Sequence, residues 1–442
     1  MLKTTDRRSF IGGAAAIAVM PALANAETRT ARGGSFPRGF LWGAATAAHQ
    51  VEGNNVNSDA WVFENVKPTI FKEPSLDAAN SFELWRTDLD LVKAMGLNTY
   101  RFSLEWARIE PLPGVFSVAM LDHYKAIVEG CRARGLTPIV TFNHFTTPRW
   151  FAGMDAWLNP DSPKLFARFC ERAMRHLGDQ IGYAVTLNEP NVSLQVTQTI
   201  PGFTRLTPAI NAASAAAAQA IGSERFGLSA IQSPEVAIAA MPNMIAAHRA
   251  ARAAIKSVRS NLPVGVSLAI ADEQAMPSQT KRDQVRRDAY GAWLDAAKGD
   301  DFLGVQNYVR NLWSDTGKLP PPAGATLNQT GEEVYAPSLA GAVRYAYEAS
   351  GCRIMVTEHG VQTTDDAIRA GFIPAALREL RKVMDDGVPV LGYMHWSLID
   401  NFEWLSGYGP KFGLASVDRT TFVRTPKPSS RVLGAIARRN GV

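Results

Sequence analysis

The segments VTLNEP (residues 185–190) and IMVTEHG (residues 354–360) each lead from an apolar, strand-like stretch directly into a glutamate. Pro190 lacks a backbone donor, so the chain is expected to leave the strand after Glu189. Glu358 occupies the matching place in the second segment. The repeated arrangement predicts two strands of one parallel sheet, each ending on an acid at the same edge.

Outward from these two segments, short apolar runs alternate with stretches of helical periodicity. The strand-like runs lie near residues 40–45, 98–103, 137–142, 183–187, 263–270, 302–306, 353–357 and 389–394. The helix-like stretches cover residues 81–95, 118–134, 163–176, 235–259, 281–298, 338–349 and 368–384, and a further one begins near Pro428. This alternation, with no Ser/Gly-rich linker, predicts one α/β domain, a (β/α)8 TIM barrel with enlarged βα loops. The alternative is a doubly wound open sheet.

Composition and charge exclude several classes of function. The 442 residues include 46 Lys and Arg against 41 Asp and Glu, a net charge of +5, and no basic run concentrates that excess. Nucleic acid is therefore not an expected partner. Cys131, Cys170 and Cys352 are too scattered for a disulfide framework or a zinc site. No cofactor and no metal are expected.

The first 26 residues have the pattern of an export signal. Lys3, Arg7 and Arg8 form a basic start, residues 11–23 are apolar, and small residues at 24–26 precede a cleavage point. The adjacent Arg7 and Arg8 resemble a twin-arginine signal, the alternative being a chance pair. The expectation is a signal peptide at residues 1–26 and an exported, periplasmic or secreted domain at residues 27–442, without stable membrane insertion.

Polar residues cluster where the predicted strands end, which is the active face of a TIM barrel. Six or seven strands carry acids, amides or aromatic residues there, more than folding requires. Glu189 and Glu358 follow strands that lie roughly across the barrel from each other. Either glutamate alone could be a salt-bridged strand end. As an opposed pair they have the functional groups needed for glycosidic bond cleavage.

Several ordered motifs make the sequence recognisable, and their similarity extends from about residue 36 to residue 441. They are FLWGAAT (40–46), YRFS (100–103), NEP (188–190), Thr357-Glu358 with Gly360, WSLIDNFEW (396–404), KFGL (411–414), VD (417–418) and TPK (425–427). These segments resemble the family 1 glycoside hydrolases, the β-glucosidase family. The resemblance implies a retaining mechanism with Glu358 as nucleophile and Glu189 as acid/base, and with Arg101 and Tyr308 keeping Glu358 ionised.

The same resemblance implies a set of sugar-binding residues. Gln50, His144, Asn188 and Glu403 match positions that bind the hydroxyls of the glycone, and Trp396 and Trp404 match its platform and rim. Individually, each of these side chains could equally be a packing or capping residue. Glu403 would repel a sugar phosphate, so the expected substrate is a neutral β-glycoside, most simply a β-glucoside. Galactosides, fucosides and xylosides are alternatives.

Some positions depart from the family pattern, namely His49, Glu105, Phe145, Gln306 and His359. The aglycone site is harder to predict. Five aromatic side chains either line the aglycone site or pack elsewhere, and these are Trp61, Trp150, Trp157, Phe203 and Trp313. The loop 192–230 is expected to cover the aglycone site. Two other classes of protein are alternatives for this sequence. One is a sugar-binding protein without turnover, and the other is a metal-dependent hydrolase with ligands among His49, His144, His359 and His395.

Overall fold

The computed structural model describes residues 34–200, 202–278 and 280–442. The predicted export signal at residues 1–26 lies outside these described residues.

Eight parallel strands close into a barrel in sequence order, with the last strand paired to the first. They are β1 (Leu41–Ala45), β2 (Thr99–Ser103), β3 (Thr137–Asn143), β4 (Tyr183–Asn188), β5 (Val264–Ala269), β6 (Phe302–Asn307), β7 (Ile354–His359) and β8 (Val390–Trp396). The register of β1 against β8 places Ala45 beside Trp396. The predicted TIM barrel is confirmed.

Helices between the strands surround the barrel. The longer ones are Ser81–Ala94, Val118–Ala133, Ser162–Leu177, Thr207–Ile221, Pro234–Val258, Ser338–Ser350, Asp366–Asp385 and Pro428–Arg439. Shorter α-helices are Ala48–Val51, Asp59–Asn65, Trp106–Ile109, Arg149–Ala152, Val192–Thr199, Thr280–Arg286 and Ala292–Ala297. The helix predicted over 281–298 is divided by a π-helical turn at Arg287–Gly291.

The segment 192–230, predicted to be a loop, is largely helical instead. Its alanine-rich part forms the helix Thr207–Ile221, with a proline in its first turn and Gly222 ending it in the left-handed conformation at φ 69°. Alanine has the highest intrinsic helix propensity, and these two terminal residues are favourable at such positions. The helix Thr207–Ile221 is therefore favoured by its own local sequence, although the prediction for this segment was a loop.

The barrel interior supports the site directly. Six strands contribute apolar side chains to a central cluster, which includes Leu41, Ala45, Ile139, Val185, Phe302, Met355 and Met394. Trp396 belongs to the same cluster, and Tyr308 and Phe412 pack against it. Side chains at the carboxyl ends of the strands thus rest on a close-packed base, which limits their movement.

Two small sheets lie outside the barrel. Asp272–Ala275 pairs with Arg310–Ser314, which pairs in turn with Gly317–Lys318, and Ala415–Val417 pairs with Arg424–Pro426. In the described part of the chain, no helix combines the length and the apolar character that crossing a membrane requires.

Candidate active site

A cavity of about 250 Å³ opens at the carboxyl ends of the strands. Eight of the ten predicted site residues line it, and these are Gln50, His144, Glu189, Tyr308, Glu358, Trp396, Glu403 and Trp404. The other two, Arg101 and Asn188, lie behind the wall and contact residues that line it. The structure therefore brings together side chains from six strand ends that are spread over more than 350 residues of sequence.

Glu358 is held by two donors, one on each carboxylate oxygen. Arg101 donates Nη1–H to Oε1 at 2.5 Å, and Tyr308 donates its hydroxyl to Oε2 at 2.5 Å. Arg101 is fully buried and also donates to Thr141 and Asn188, which fix its guanidinium. Burial raises the pKa of Glu358, while Arg101 and Tyr308 counteract that rise by charge and hydrogen bonding.

Glu189 faces the same cavity in a different electrostatic environment. Burial and the charge of Glu358 raise the pKa of Glu189 well above the usual carboxyl range, and only Arg101 opposes them. Because Glu358 has an additional hydrogen bond from Tyr308, Glu189 is the carboxyl that retains its proton to higher pH. Glu189 also has a left-handed backbone at φ 44°, which is unfavourable for a non-glycine residue and typical of functional sites.

Asn188 links the two sides of the cavity. Its Oδ1 accepts hydrogen bonds from Arg101 at 2.5 Å and from Gln306 at 2.7 Å, and its Nδ2 lies 3.2 Å from His144 Nε2. Burial and the charge of Arg101 lower the pKa of His144 well below its usual value, so the ring is neutral. An amide donor on Nε2 places the ring proton on Nδ1, assigned from this hydrogen-bond network.

Three polar atoms near the cavity are left without protein partners. They are His144 Nδ1, Gln50 Oε1 and Glu403 Oε1, each buried and with no hydrogen-bonding partner among the described residues. Gln50 is oriented by donating Nε2–H to Asn401 and to the carbonyl of Phe402. Buried polar groups are normally paired. One donor and two acceptors around one cavity are therefore complementary to a ligand that has several hydroxyl groups.

Tryptophan and histidine rings form the remaining walls. Trp396 stacks on His144 with ring centroids 5.7 Å apart. Trp404 lies parallel to His49 at 5.4 Å and meets Phe145 edge-on at 5.2 Å. Such apolar ring surfaces suit the CH face of a pyranose.

A second cavity of about 530 Å³ adjoins the first. The two share Glu189, Val192, Tyr308, Glu403 and Phe412. The second cavity has aliphatic walls at Val196, Ile200, Ile270 and Val361, and its other polar residues are Gln195, Thr199, Gln306, Asn311, Lys318, Asn328, Thr330, Glu332, Gln362 and Ser406. Those between 192 and 200 belong to the segment 192–230 that was expected to cover the aglycone site. Apart from Gln306, the others were not predicted, since they follow strand ends by variable distances and carry no distinctive motif.

The aromatic residues predicted for the aglycone site are located elsewhere. Trp61, Trp150, Trp157, Phe203 and Trp313 line neither of these two cavities. Trp313 donates to Glu273 at 2.5 Å, and Trp150 donates to the carbonyl of Glu110 at 2.8 Å. Buried tryptophans commonly satisfy their N–H in this way, and the packing alternative is the correct one for them.

The histidines proposed as metal ligands have other contacts. His359 Nδ1 lies 2.9 Å from the hydroxyl of Tyr393, and His144 is bonded to Asn188. Within residues 34–200, 202–278 and 280–442, no group of three or more His, Cys, Asp or Glu side chains is placed to hold a metal ion.

Comparison with known proteins agrees with this geometry. The profile of glycosyl hydrolase family 1 matches residues 32–300 and 328–442. Among solved structures, β-glycosidase BGL167 is 46% identical with a TM-score of 0.87 and aligns over 92% of this chain and 98% of its own. A β-glucosidase designated 1317 is 42% identical, also with a TM-score of 0.87, over 91% of this chain and 98% of its own.

A curated β-glucosidase from Agrobacterium sp. is 29% identical over 91% of this chain and 95% of its own length. The family profile covers most of the chain, including both segments that end on Glu189 and Glu358. The chain therefore belongs to glycosyl hydrolase family 1 and is a glycoside hydrolase.

Proposed function

We propose that the protein is a retaining β-glycosidase, with Glu358 as nucleophile and Glu189 as acid/base, and that its substrates are terminal, non-phosphorylated β-D-glucosides. The main support is the asymmetry of the two carboxyl groups in one cavity. Arg101 and Tyr308 both donate to Glu358, whereas the charge of Glu358 itself favours a proton on Glu189. Retaining chemistry requires this division between a charged nucleophile and a protonated acid.

Each half of the reaction uses both groups. Glu189 gives its proton to the glycosidic oxygen as the bond to the anomeric carbon breaks, and a Glu358 oxygen bonds that carbon. Glu358 is then an uncharged ester, which removes one of the two causes that raise the pKa of Glu189. Glu189, which has already given its proton to the leaving group, therefore remains a carboxylate, and it takes a proton from water as the water oxygen displaces Glu358 from the sugar.

The polar atoms without protein partners support a neutral glycone. His144 Nδ1–H can donate to a sugar hydroxyl, and Gln50 Oε1 and Glu403 Oε1 can accept from others. A phosphate at this place would add negative charge beside the charged Glu358, and that is unfavourable in a buried cavity. The larger adjoining cavity, which shares Glu189, is the proposed place of the leaving group.

The function is tested with a panel of nitrophenyl glycosides and the purified protein. We expect the highest kcat/KM with the β-glucoside and a value at least about 100-fold lower with its 6-phosphate, since a mismatched buried charge costs several kcal/mol. Proton NMR should show the β-anomer as the first product. Higher activity on a β-galactoside, β-fucoside or β-xyloside would select that alternative. An α-anomer as first product, or no turnover, would contradict the mechanism.

The pH dependence of kcat/KM should be bell-shaped and report both carboxyl groups. Activity rises as Glu358 loses its proton and falls as Glu189 loses its own. Because burial raises the pKa of both groups, both limbs should lie above the usual carboxyl range. The two apparent values belong to the interacting pair. In a Glu189→Ala variant assayed with an activated aryl glucoside, the alkaline limb should disappear, and its persistence would assign that limb to another group.

We also infer export through a twin-arginine signal, on the basis of Arg7, Arg8 and the apolar run that follows them. A variant with both Arg7→Lys and Arg8→Lys keeps the charge and should remain uncleaved in the cytoplasm of a bacterium that has this export system. A Lys3→Arg variant, which changes a basic residue outside the pair, should be exported like the wild type. Cell fractionation with immunoblotting shows in which compartment each variant accumulates. Unchanged export of the double variant would refute the inference.

A further inference from the structure

Two residues that depart from the family pattern contact one tryptophan at the rim of the cavity. The ring of His49 lies parallel to Trp404, with centroids 5.4 Å apart and an interplanar angle of 9°. Phe145 meets the same indole edge-on. Trp404 and Phe145 line the 250 Å³ cavity, whereas His49 does not. His49 can therefore influence a ligand only through the residues that it touches.

His49 has one hydrogen bond and lies beside an acid. Its side chain is fully buried; Nδ1 accepts a hydrogen bond from Asn55 Nδ2 at 3.2 Å, and Nε2 lies 3.6 Å from Glu64 Oε2, with no hydrogen-bonding partner among the described residues. Glu64 is anchored in turn by a hydrogen bond from Ser75 to its other oxygen at 2.5 Å. Rotation of the imidazole away from Trp404 would break the contact with Glu64.

The surroundings of His49 are strongly acidic. Carboxyl groups face it from its own helix, from the helix Asp59–Asn65 and from the end of β2, and these are Glu52, Asp59, Glu64 and Glu105. The nearby cation is Arg108, which is paired with Glu52 at 3.0 Å. Burial lowers the pKa of His49, but Glu64, Glu105 and Asp59 outweigh it and raise the pKa above the usual value.

Trp404 has an unfavourable backbone conformation, so the side chains around it are needed to hold it in place. It has a left-handed conformation at φ 51°, at the start of the 3-10 turn Trp404–Ser406. Strained conformations persist only where the surrounding contacts hold them. The aromatic rings that contact the indole are those of His49, Phe145 and Phe402, and the indole also packs against an apolar cluster. Of these three rings, only that of His49 lies parallel to the indole.

We propose that His49 is a positioning residue for Trp404, and that through this indole it sets how tightly the glycone is held without taking part in bond cleavage. The inference rests on the proposed function, since it concerns the sugar pocket of that reaction. Phe145 and Glu105 belong to the same group of neighbouring side chains around His49 and Trp404. Glu105 accepts a hydrogen bond from Thr146 at 2.7 Å, next to Phe145, and its charge acts on His49.

A double-mutant cycle on His49 and Trp404 tests this role, with nitrophenyl β-glucoside as substrate and glucose as inhibitor. His49→Ala should raise KM and the inhibition constant of glucose about fivefold or more, from loss of the ring stacked on Trp404, with kcat within about threefold. In a Trp404→Ala background the same change should alter both constants by less than about twofold. This non-additivity is expected when one residue acts through the other.

Further variants separate positioning from general destabilisation. His49→Phe keeps an aromatic ring against Trp404 without the polar contacts to Asn55 and Glu64 and should restore part of the affinity, and it replaces His49→Ala in the cycle if that variant does not fold. His123 stacks on Phe82 at 4.0 Å outside both cavities, so His123→Ala is a matched control and should leave KM unchanged. Equal effects of His49→Ala in both backgrounds, or a fall in kcat with unchanged KM, would overturn the proposal. Absence of glycoside hydrolysis by the wild type would instead overturn the proposed function.

Discussion

Replacing Glu358 by alanine should reduce kcat for aryl β-glucosides by about 100,000-fold, because the group that forms the covalent bond to the sugar is removed. Glu358→Gln should be similarly inactive. Its amide oxygen can still accept from Arg101 or Tyr308, so the cavity keeps its shape while the nucleophile is lost. Both variants are measured by initial rates, with thermal unfolding to confirm that they fold.

Glu273→Gln is the matched control for Glu358. Glu273 is also buried, accepts from Tyr290 and Trp313, and lines neither cavity. Its variant should turn over at close to the wild-type rate. A comparable loss in this control would show that removing any buried carboxylate disrupts the barrel.

Covalent trapping tests the same assignment without mutation. A 2-deoxy-2-fluoro-β-glucoside with a dinitrophenolate leaving group should inactivate the enzyme with one adduct per chain. The fluorine slows both steps by destabilising positive charge at the anomeric carbon, while the good leaving group keeps the first step fast enough for the ester to accumulate. Peptide mapping by mass spectrometry should locate the adduct on Glu358. An adduct on another residue would refute the role of Glu358.

Glu189→Ala should affect substrates according to their leaving groups. For alkyl glucosides, whose oxygen must be protonated to leave, we expect a loss of about 1,000-fold, within the usual contribution of general acid catalysis. For a dinitrophenyl glucoside, which leaves as a stable anion, formation of the glycosyl-enzyme should be nearly unchanged, and its hydrolysis should become rate-limiting. Pre-steady-state bursts of dinitrophenolate measure the first step directly. Equal losses for both substrates would contradict the acid role.

Azide distinguishes the two carboxyl positions by product stereochemistry. In Glu189→Ala, azide should attack the glycosyl-enzyme and yield a β-glycosyl azide. In Glu358→Ala, it should attack from the side of the missing nucleophile and yield an α-glycosyl azide. NMR of the isolated products identifies the anomers. The same anomer from both variants would mean that Glu189 and Glu358 do not lie on opposite faces of the sugar.

Much of the site could be predicted because its residues immediately follow strands. A strand that ends on Glu189 or Glu358 places that side chain at the edge of the barrel whatever the loops do, and the closed barrel then brings the strand ends together. The location of the candidate site could be predicted from the order of the strands alone. The electrostatic difference between Glu189 and Glu358 was implied by the family resemblance, which places Arg101, in β2, beside Glu358.

The aromatic residues for which the sequence left the aglycone site and simple packing open proved to line neither cavity. Trp313 and Trp150 were considered for the aglycone site, yet their N–H groups bond to Glu273 and to the carbonyl of Glu110. The larger cavity is instead lined by residues such as Val196 and Lys318, contributed by different βα segments. Which side chains of a long loop face inward depends on how that loop packs against others.

The amino-acid sequence by itself determined the barrel and the pair of acids, since chain order and the alternation of strands and helices are local properties that a closed sheet converts into proximity. Only the tertiary structure decided what lies behind the sugar pocket and beside it. His49 and Trp404 are 355 positions apart in the chain, and Lys318 meets Glu332 across a loop. Such contacts depend on the packing of loops from different strands, and no periodicity in the sequence encodes that packing.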